Sequence, residues 1–173
     1  MLKKIFSKEN LFFATVVVLV IGATYSNLEE SYKKSRDITR KNDLGDIEKK
    51  LGDFKEKIGY YPMATEDGKI LGCDGIKNLS GEWIFKPCVW GNNPENSPFF
   101  PRTGEDPYNL DGVTYAYRSN GVDYQLFAYL ERPADPEYDA LVVKRNISCG
   151  SVICNTGRTN HISYPASSPL PLP

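Results

Sequence analysis

The chain has 173 residues, enough for one domain plus an anchoring segment. Its 21 Lys and Arg nearly balance 22 Asp and Glu, for a net charge of −1. That balance excludes the basic face of an electrostatic nucleic-acid binder and gives no charge-driven recruitment to anionic lipid.

Lys3, Lys4 and Lys8 come first, a basic leader over residues 1–10 that predicts a cytoplasmic N-terminus. An apolar run follows over residues 11–28. Its candidate membrane and assembly residues are Leu11, Phe12, Phe13, Val16, Val17, Val18, Leu19, Val20 and Ile21. As a helix, Leu11 to Leu28 spans about 27 Å, against roughly 30 Å of hydrocarbon. A removable signal needs small residues at its cut. Ala23 and Ser26 have Ile21 and Thr24 two positions before them, a weak cleavage pattern, so the run reads as an anchor.

None of the 12 prolines precedes Pro62, which predicts one helix from Leu11 to Ile58. Beyond Leu28, acid-then-base pairs stand at i,i+4: Glu29–Lys33, Glu30–Lys34, Asp37–Lys41, Asp46–Lys50 and Asp53–Lys57. Leu44, Ile47, Leu51, Phe54 and Ile58 form a 3-4-3-4 stripe that must face a sheet. Gly45 and Gly52 weaken the helix, either for close strand approach or on a tolerant exposed face. Gly59 predicts the C-cap, and Pro62 blocks continuation.

Met63 to Pro107 reads as loop with one short strand, Glu82 to Lys86. Trp83, Phe85, Val89 and Trp90 are expected to cover the end of the stripe. The strongest β signal follows. Val113, Tyr115 and Tyr117 alternate in one run; Tyr124, Leu126, Ala128 and Leu130 alternate in the next. Ser119-Asn120-Gly121 between them predicts a hairpin turn, because Asn and Gly both tolerate positive φ. A third strand is expected at Ala140 to Arg145. The head spans residues 29–162, and the Pro-rich tail, 163–173, reads as flexible and solvated.

Cys73, Cys88, Cys149 and Cys154 all follow the apolar run. An even count beyond a membrane segment favours disulfides in an oxidising compartment. Cys73–Cys88 with Cys149–Cys154 closes the shortest loops of the three possible pairings. A four-cysteine zinc site is the rival; the Cys149–Cys154 spacing fits it, and that of Cys73 and Cys88 does not. His161 is the single histidine, placed just before the tail, where nothing orders a catalytic arrangement. No phosphate-cradling or dinucleotide motif occurs. Asn78-Leu79-Ser80 and Asn146-Ile147-Ser148 match glycosylation sequons, a pattern frequent by chance. No enzyme is indicated.

Three stretches together resemble the type IV pilins and type II secretion pseudopilins, the major pseudopilins most. Arg36-Asp37-x-x-Arg40-Lys41-x-Asp43-Leu44-x-x-Ile47 is similar to the family's charged helix segment. Gly59-Tyr60-Tyr61-Pro62 resembles the Gly-x-Tyr-Pro that ends its helix. Asp106-Pro107, Tyr115-x-Tyr117, Ser119-Asn120-Gly121 and Tyr124-x-Leu126-x-Ala128-x-Leu130-Glu131 resemble its hairpin region. The resemblance implies an α+β, pilin-like fold, with a long N-terminal helix packed on a small antiparallel sheet. It implies a structural subunit of a type IV pilus or secretion pseudopilus, assembling through the apolar helix. Expected partners are copies of itself, other pilin-like subunits, inner-membrane assembly machinery and membrane lipid, and no nucleic acid. The expected location is a single-pass inner-membrane anchor with an extracytoplasmic head. No cofactor is expected, except that major pseudopilins bind calcium; Asp106, Asp111 and Asp123 are the candidates here. The family's leader ends in glycine and its apolar run contains an acid. Here no glycine precedes Leu11, and Glu9 stands before the run. An alternative is therefore a non-polymerising anchored module with a pilin-derived head.

Overall fold

The computed structural model describes residues 8–91, 97–161 and 165–171. Lys3 and Lys4 of the leader lie outside the described residues. The chain divides into two compact units, residues 1–36 and 37–173. One continuous helix, α1 (Lys8–Ile58), contributes to both. In the first unit Lys33 pairs with Glu29 at 3.0 Å, one of the expected i,i+4 pairs.

In the second unit the stripe behaves as its spacing predicts: Leu44, Ile47, Leu51 and Phe54 are all fully buried. They pack in one core with Tyr115, Tyr117, Tyr124, Leu126 and Ala128. Each such apolar side chain contributes about 1.5–3 kcal/mol of burial. Phe54 is the aromatic hub, with ring centroids 5.0 Å from Phe85 and 4.9 Å from Phe99. The helix ends at Gly59, whose φ of 98° is left-handed and whose N–H donates to Lys55 O at 2.8 Å. Gly45 lies under Arg158, where a Cβ would stand 3.4 Å from Nη1, whereas Gly52 faces open space.

Two three-stranded antiparallel sheets and a two-stranded ribbon build the rest, so the fold is α+β. The first sheet is β1 (Met63–Ala64), β2 (Ile70–Lys77) and β3 (Trp83–Pro87), in that order. The second contains β4 (Ala116–Ser119), β5 (Tyr124–Ala128) and β8 (Thr156–Thr159), with β5 central. The ribbon is β6 (Ser148–Cys149) with β7 (Val152–Ile153). A short helix, α2 (Ala140–Lys144), precedes it.

Several expectations change. The stretch read as loop with one short strand holds a whole sheet: the strand expected at Glu82 to Lys86 is β3, and β1 and β2 are additional. Its β2 is hidden by Gly72 and Gly75, where a Cβ would come within 2.7 Å of the Phe100 and Phe85 rings respectively. These glycines admit aromatic side chains across the strand, and they erase its periodicity. Trp83 stacks on Phe85 at 5.7 Å and Trp90 meets Tyr115 at 5.7 Å, but Val89 is exposed. The expected third strand is α2 instead. Asp139 caps it by accepting from Leu141 N at 2.8 Å, and within it only Val142 is buried. A four-residue apolar run carries no period that separates strand from helix.

The hairpin forms with Ser119 opposite Tyr124, so its loop is Asn120–Asp123 and not a two-residue turn. Gly121 alone takes positive φ, at 85°. Asn120 instead bends the loop through its side chain, accepting from Val122 N at 3.0 Å and Asp123 N at 2.7 Å. Finally, residues 165–171 of the tail are irregular in backbone but docked. Ala166 is buried, and Pro165 O and Ser168 O both accept from Gln125. Proline content removes periodicity but leaves carbonyls free to accept hydrogen bonds, which composition does not reveal.

Candidate membrane and assembly segment, and the buried charge cluster

The apolar segment carries no Asp, Glu, Lys or Arg from Asn10 to Leu28. It is the one stretch of the described residues long and apolar enough to cross a membrane. Leu11, Phe12, Phe13, Val16, Val17, Val18, Leu19, Val20 and Ile21 are all exposed, from 40% at Val16 to 67% at Val18. Residues on every side of a helix are represented in that set, so no single face is being hidden from water. An aqueous surface of this kind is unfavourable by about 25 cal/mol per Å². A lipid or protein environment removes that cost.

Three hydroxyls within and just beyond the run are satisfied by the helix itself. Thr15 Oγ1 donates to Leu11 O at 2.9 Å, Thr24 Oγ1 to Val20 O at 2.8 Å, and Ser31 Oγ to Asn27 O at 2.7 Å. A hydroxyl bonded to the carbonyl four residues back brings no unpaired donor into an apolar medium. Tyr25 and Tyr32 stand exposed near the charged end, where amphipathic rings suit a membrane–water boundary.

The head holds an arrangement that sequence reasoning missed. Arg40 is fully buried and bonds three carboxylates. Its Nε and Nη2 donate to Asp106 Oδ2 and Oδ1 at 2.8 and 2.9 Å, a bidentate fork. Nη1 donates to Asp37 Oδ1 at 2.9 Å and to Glu131 Oε1 at 2.7 Å. Asp37 also accepts from the backbone N–H groups of Glu131 at 2.9 Å and Arg132 at 3.2 Å. The rings of Tyr108 and Tyr129 lie 5.7 and 5.9 Å from the guanidinium. Burial opposes the Arg40 charge, but the bonds to Asp106 and Glu131 outweigh it and raise its pKa. Four of the five guanidinium N–H groups are bonded to these carboxylates, so the side chain ties α1 to the residues around Asp106 and Glu131.

One turn on, Tyr115 Oη donates to Asp43 Oδ2 at 2.6 Å. Burial raises the Asp43 pKa against the opposing effect of that bond. Burial and the Asp43 carboxylate together push the Tyr115 hydroxyl upward. Lys41 leaves its expected partner Asp37 and pairs with Asp135 at 2.9 Å, and Lys50 donates to the carbonyl of Arg102. A signal for the cluster was available. Asp37 and Arg40 continue the 3-4-3-4 spacing of Leu44, Ile47, Leu51 and Phe54, so they had to be buried, and buried charges must be paired.

The calcium candidates are not brought together. Asp106 is consumed by Arg40, Asp123 accepts from Asn160 Nδ2 at 3.0 Å in the hairpin loop, and Asp111 lies exposed in the 3₁₀ turn Asn109–Asp111. Among the described residues no group of three or more His, Cys, Asp or Glu is placed to hold a metal ion. All four cysteines are spent in disulfides, Cys73–Cys88 and Cys149–Cys154, which removes the zinc reading. His161 is exposed. Comparison with known protein families, characterised proteins and solved structures returns no match to this chain.

Proposed function

We propose that this chain is a non-enzymatic structural subunit of a pilin-like filament, a type IV pilus or a secretion pseudopilus. It is held in the inner membrane by residues 11–28, with its leader cytoplasmic and its disulfide-bonded head outside. One observation carries the reading: an uncharged helical segment exposed on all sides, in the same helix whose later stripe forms the core of the head. Such a segment is stable in lipid as a monomer and in a bundle of like helices after assembly. Other pilin-like subunits and inner-membrane assembly machinery are the partners this reading requires.

A second reading has its own support. The absence of glycine before Leu11 and the position of Glu9 favour a fixed single-pass anchor carrying a pilin-derived binding head.

Two measurements on membrane-extracted native protein separate them. Intact mass locates the N-terminus. Trimming between Lys8 and Leu11 with an added methyl group indicates pilin-type processing; an unprocessed chain favours the anchor. Crosslinking of a Val17→Cys chain in the membrane is expected to give a ladder of oligomers. Monomer alone would sink the assembly reading.

A further inference from the structure

The docked tail sits in a receptor with more construction than a flexible terminus needs. Its centre is Gln125, the second residue of β5 and fully buried. Tyr124, Leu126 and Ala128 of that strand join the core under α1, while Phe127 joins a second cluster with Val142, Ile147, Cys149, Cys154 and Ala166. The strand is thus covered on both faces, and Gln125 is the one amide side chain in it. Its Nε2 donates to Pro165 O at 2.9 Å and to Ser168 O at 2.7 Å, the two ends of one turn. That turn is closed by Ser168 N donating to Pro165 O at 2.8 Å.

Arg145, half-buried at the end of α2, completes the grip. Its Nη1 donates to Gln125 Oε1 at 2.9 Å and to the carbonyl of Ala166, with the guanidinium 5.2 Å from the Phe127 ring centroid. Among the described residues no carboxylate pairs with it, and burial, followed by the charge of Arg118, disfavours its cation. Neutral peptide carbonyls are what this cation is built to meet. Ala166 fills the remaining space: a Cβ on Gly157 would come within 2.7 Å of its methyl and of the Phe127 ring. Asn120 Nδ2 holds Pro171 O at 3.1 Å.

We infer that Gln125, Arg145 and Gly157 form a receptor for a Pro–Ala–Ser–Ser turn, filled here by residues 165–168 and able to take the same turn from a second copy of this chain. The receptor reads carbonyls and one methyl. A second copy therefore reproduces every contact, and its concentration sets how far it competes with the chain's own tail. An empty receptor gives up both bonds from Gln125 Nε2 and uncovers the Phe127 ring, so an occupant is favoured over the open state. The exchange rests on the assembly reading only in that assembly supplies neighbouring copies; the receptor itself does not.

The test uses the full-length chain in detergent. Ala166→Asp ejects the chain's own tail, because a carboxylate cannot enter the space against Phe127. Ala166→Val, which adds bulk without charge, is the second ejecting variant. A fluorescent peptide of residues 165–171 is expected to bind Ala166→Asp or Ala166→Val saturably. It should bind the unaltered chain at least tenfold more weakly, because the resident tail competes. It should fail to bind when Gln125→Met is added. Absence of saturable binding in both ejecting variants overturns the receptor. For exchange, a tagged Ala166→Asp chain (sound receptor, ejected tail) is mixed with Gln125→Met (sound tail, blocked receptor). Recovery of the pair, and not of Ala166→Asp with itself, is expected. Peptide binding without pair recovery overturns exchange and leaves a strap that works only within its own chain. Peptide binding in a chain that gives no Val17→Cys ladder would separate failure of the assembly reading from failure of this one.

Discussion

The two halves of α1 use the same backbone for opposite ends. From Leu44 to Phe54 one stripe is apolar, and it is fully buried against the sheets of the head. From Leu11 to Ile21 large apolar residues occur on all sides, and all of them are exposed. Helix propensity does not separate these segments; the angular spread of their apolar residues does. A stripe specifies a packed neighbour within the chain. All-round apolarity specifies a surrounding medium, and it is silent on whether that medium is lipid or other helices.

The largest effect expected from this contrast comes from aspartate substitutions in the two halves. Leu51→Asp or Phe54→Asp buries an unpaired charge and should cost the head more than about 4 kcal/mol, read as loss of its cooperative melt. Val17→Asp should leave that melt unchanged and instead reduce membrane retention, since the charge costs about 3 kcal/mol at the centre of a span. A normal melt for the Phe54→Asp chain would break the comparison.

Arg40→Met should cost about 3–5 kcal/mol, because three buried carboxylates lose their common partner. Denaturant midpoints measured at neutral pH check this, and a loss below about 1 kcal/mol would reduce the cluster to decoration.

The disulfides follow. On the chain-entropy model, replacing Cys73 and Cys88 by Ser should cost about 3 kcal/mol, and replacing Cys149 and Cys154 about 2 kcal/mol. Their loops differ in separation, 15 against 5 residues. Native protein denatured without reductant should show no free thiol, and four titrating thiols would remove both bridges from the account.

The smallest effects are in pH. Asp135 is held below the ordinary aspartate value of 3.8: burial pushes it up, and the Glu137 N–H and Lys41 outweigh burial. Its stabilisation is present above 3.8 and is lost as pH falls through its lowered value. Asp43 is raised above 3.8, so the folded head holds its proton longer than the unfolded chain does. Its contribution therefore declines as pH rises from 3.8 through the raised value. Asp135→Asn should flatten the acid limb of a stability profile, and Asp43→Asn should lift the neutral side relative to the acid side. Profiles that shift in the same sense for both variants would contradict these assignments.

What the sequence made legible were features with a period. The long helix, its stripe, the Gly59 cap and the β4–β5 pairing all repeat at 3.6 or 2 residues, or mark an end. The misses lie where contacts replace period. Gly72 and Gly75 interrupt β2 so that aromatic rings can lie across it. The run from Ala140 to Lys144 is too short to show a period at all, and its cap decides for helix. The spacing marks Arg40 as a core position, but its partners Asp106 and Glu131, 66 and 91 residues away, carry no signal in the sequence. Gln125 reads as the polar member of an alternating strand, when both faces of that strand are covered. The aspartates that suggest calcium are already used by turns and by Arg40.

Those separations also govern time. The fork from Arg40 to Asp106 closes a loop of 66 residues, and the bond to Glu131 closes one of 91. Loop-closure entropy rises with length, so both contacts must wait for the hairpin and stripe to bring the ends together. On that order the guanidinium is expected to be desolvated late. Its worth should therefore appear on the way out of the native state: Arg40→Met should accelerate unfolding far more than it slows refolding. The cluster then acts as a latch on the lifetime of the head, a contribution to kinetic rather than equilibrium stability.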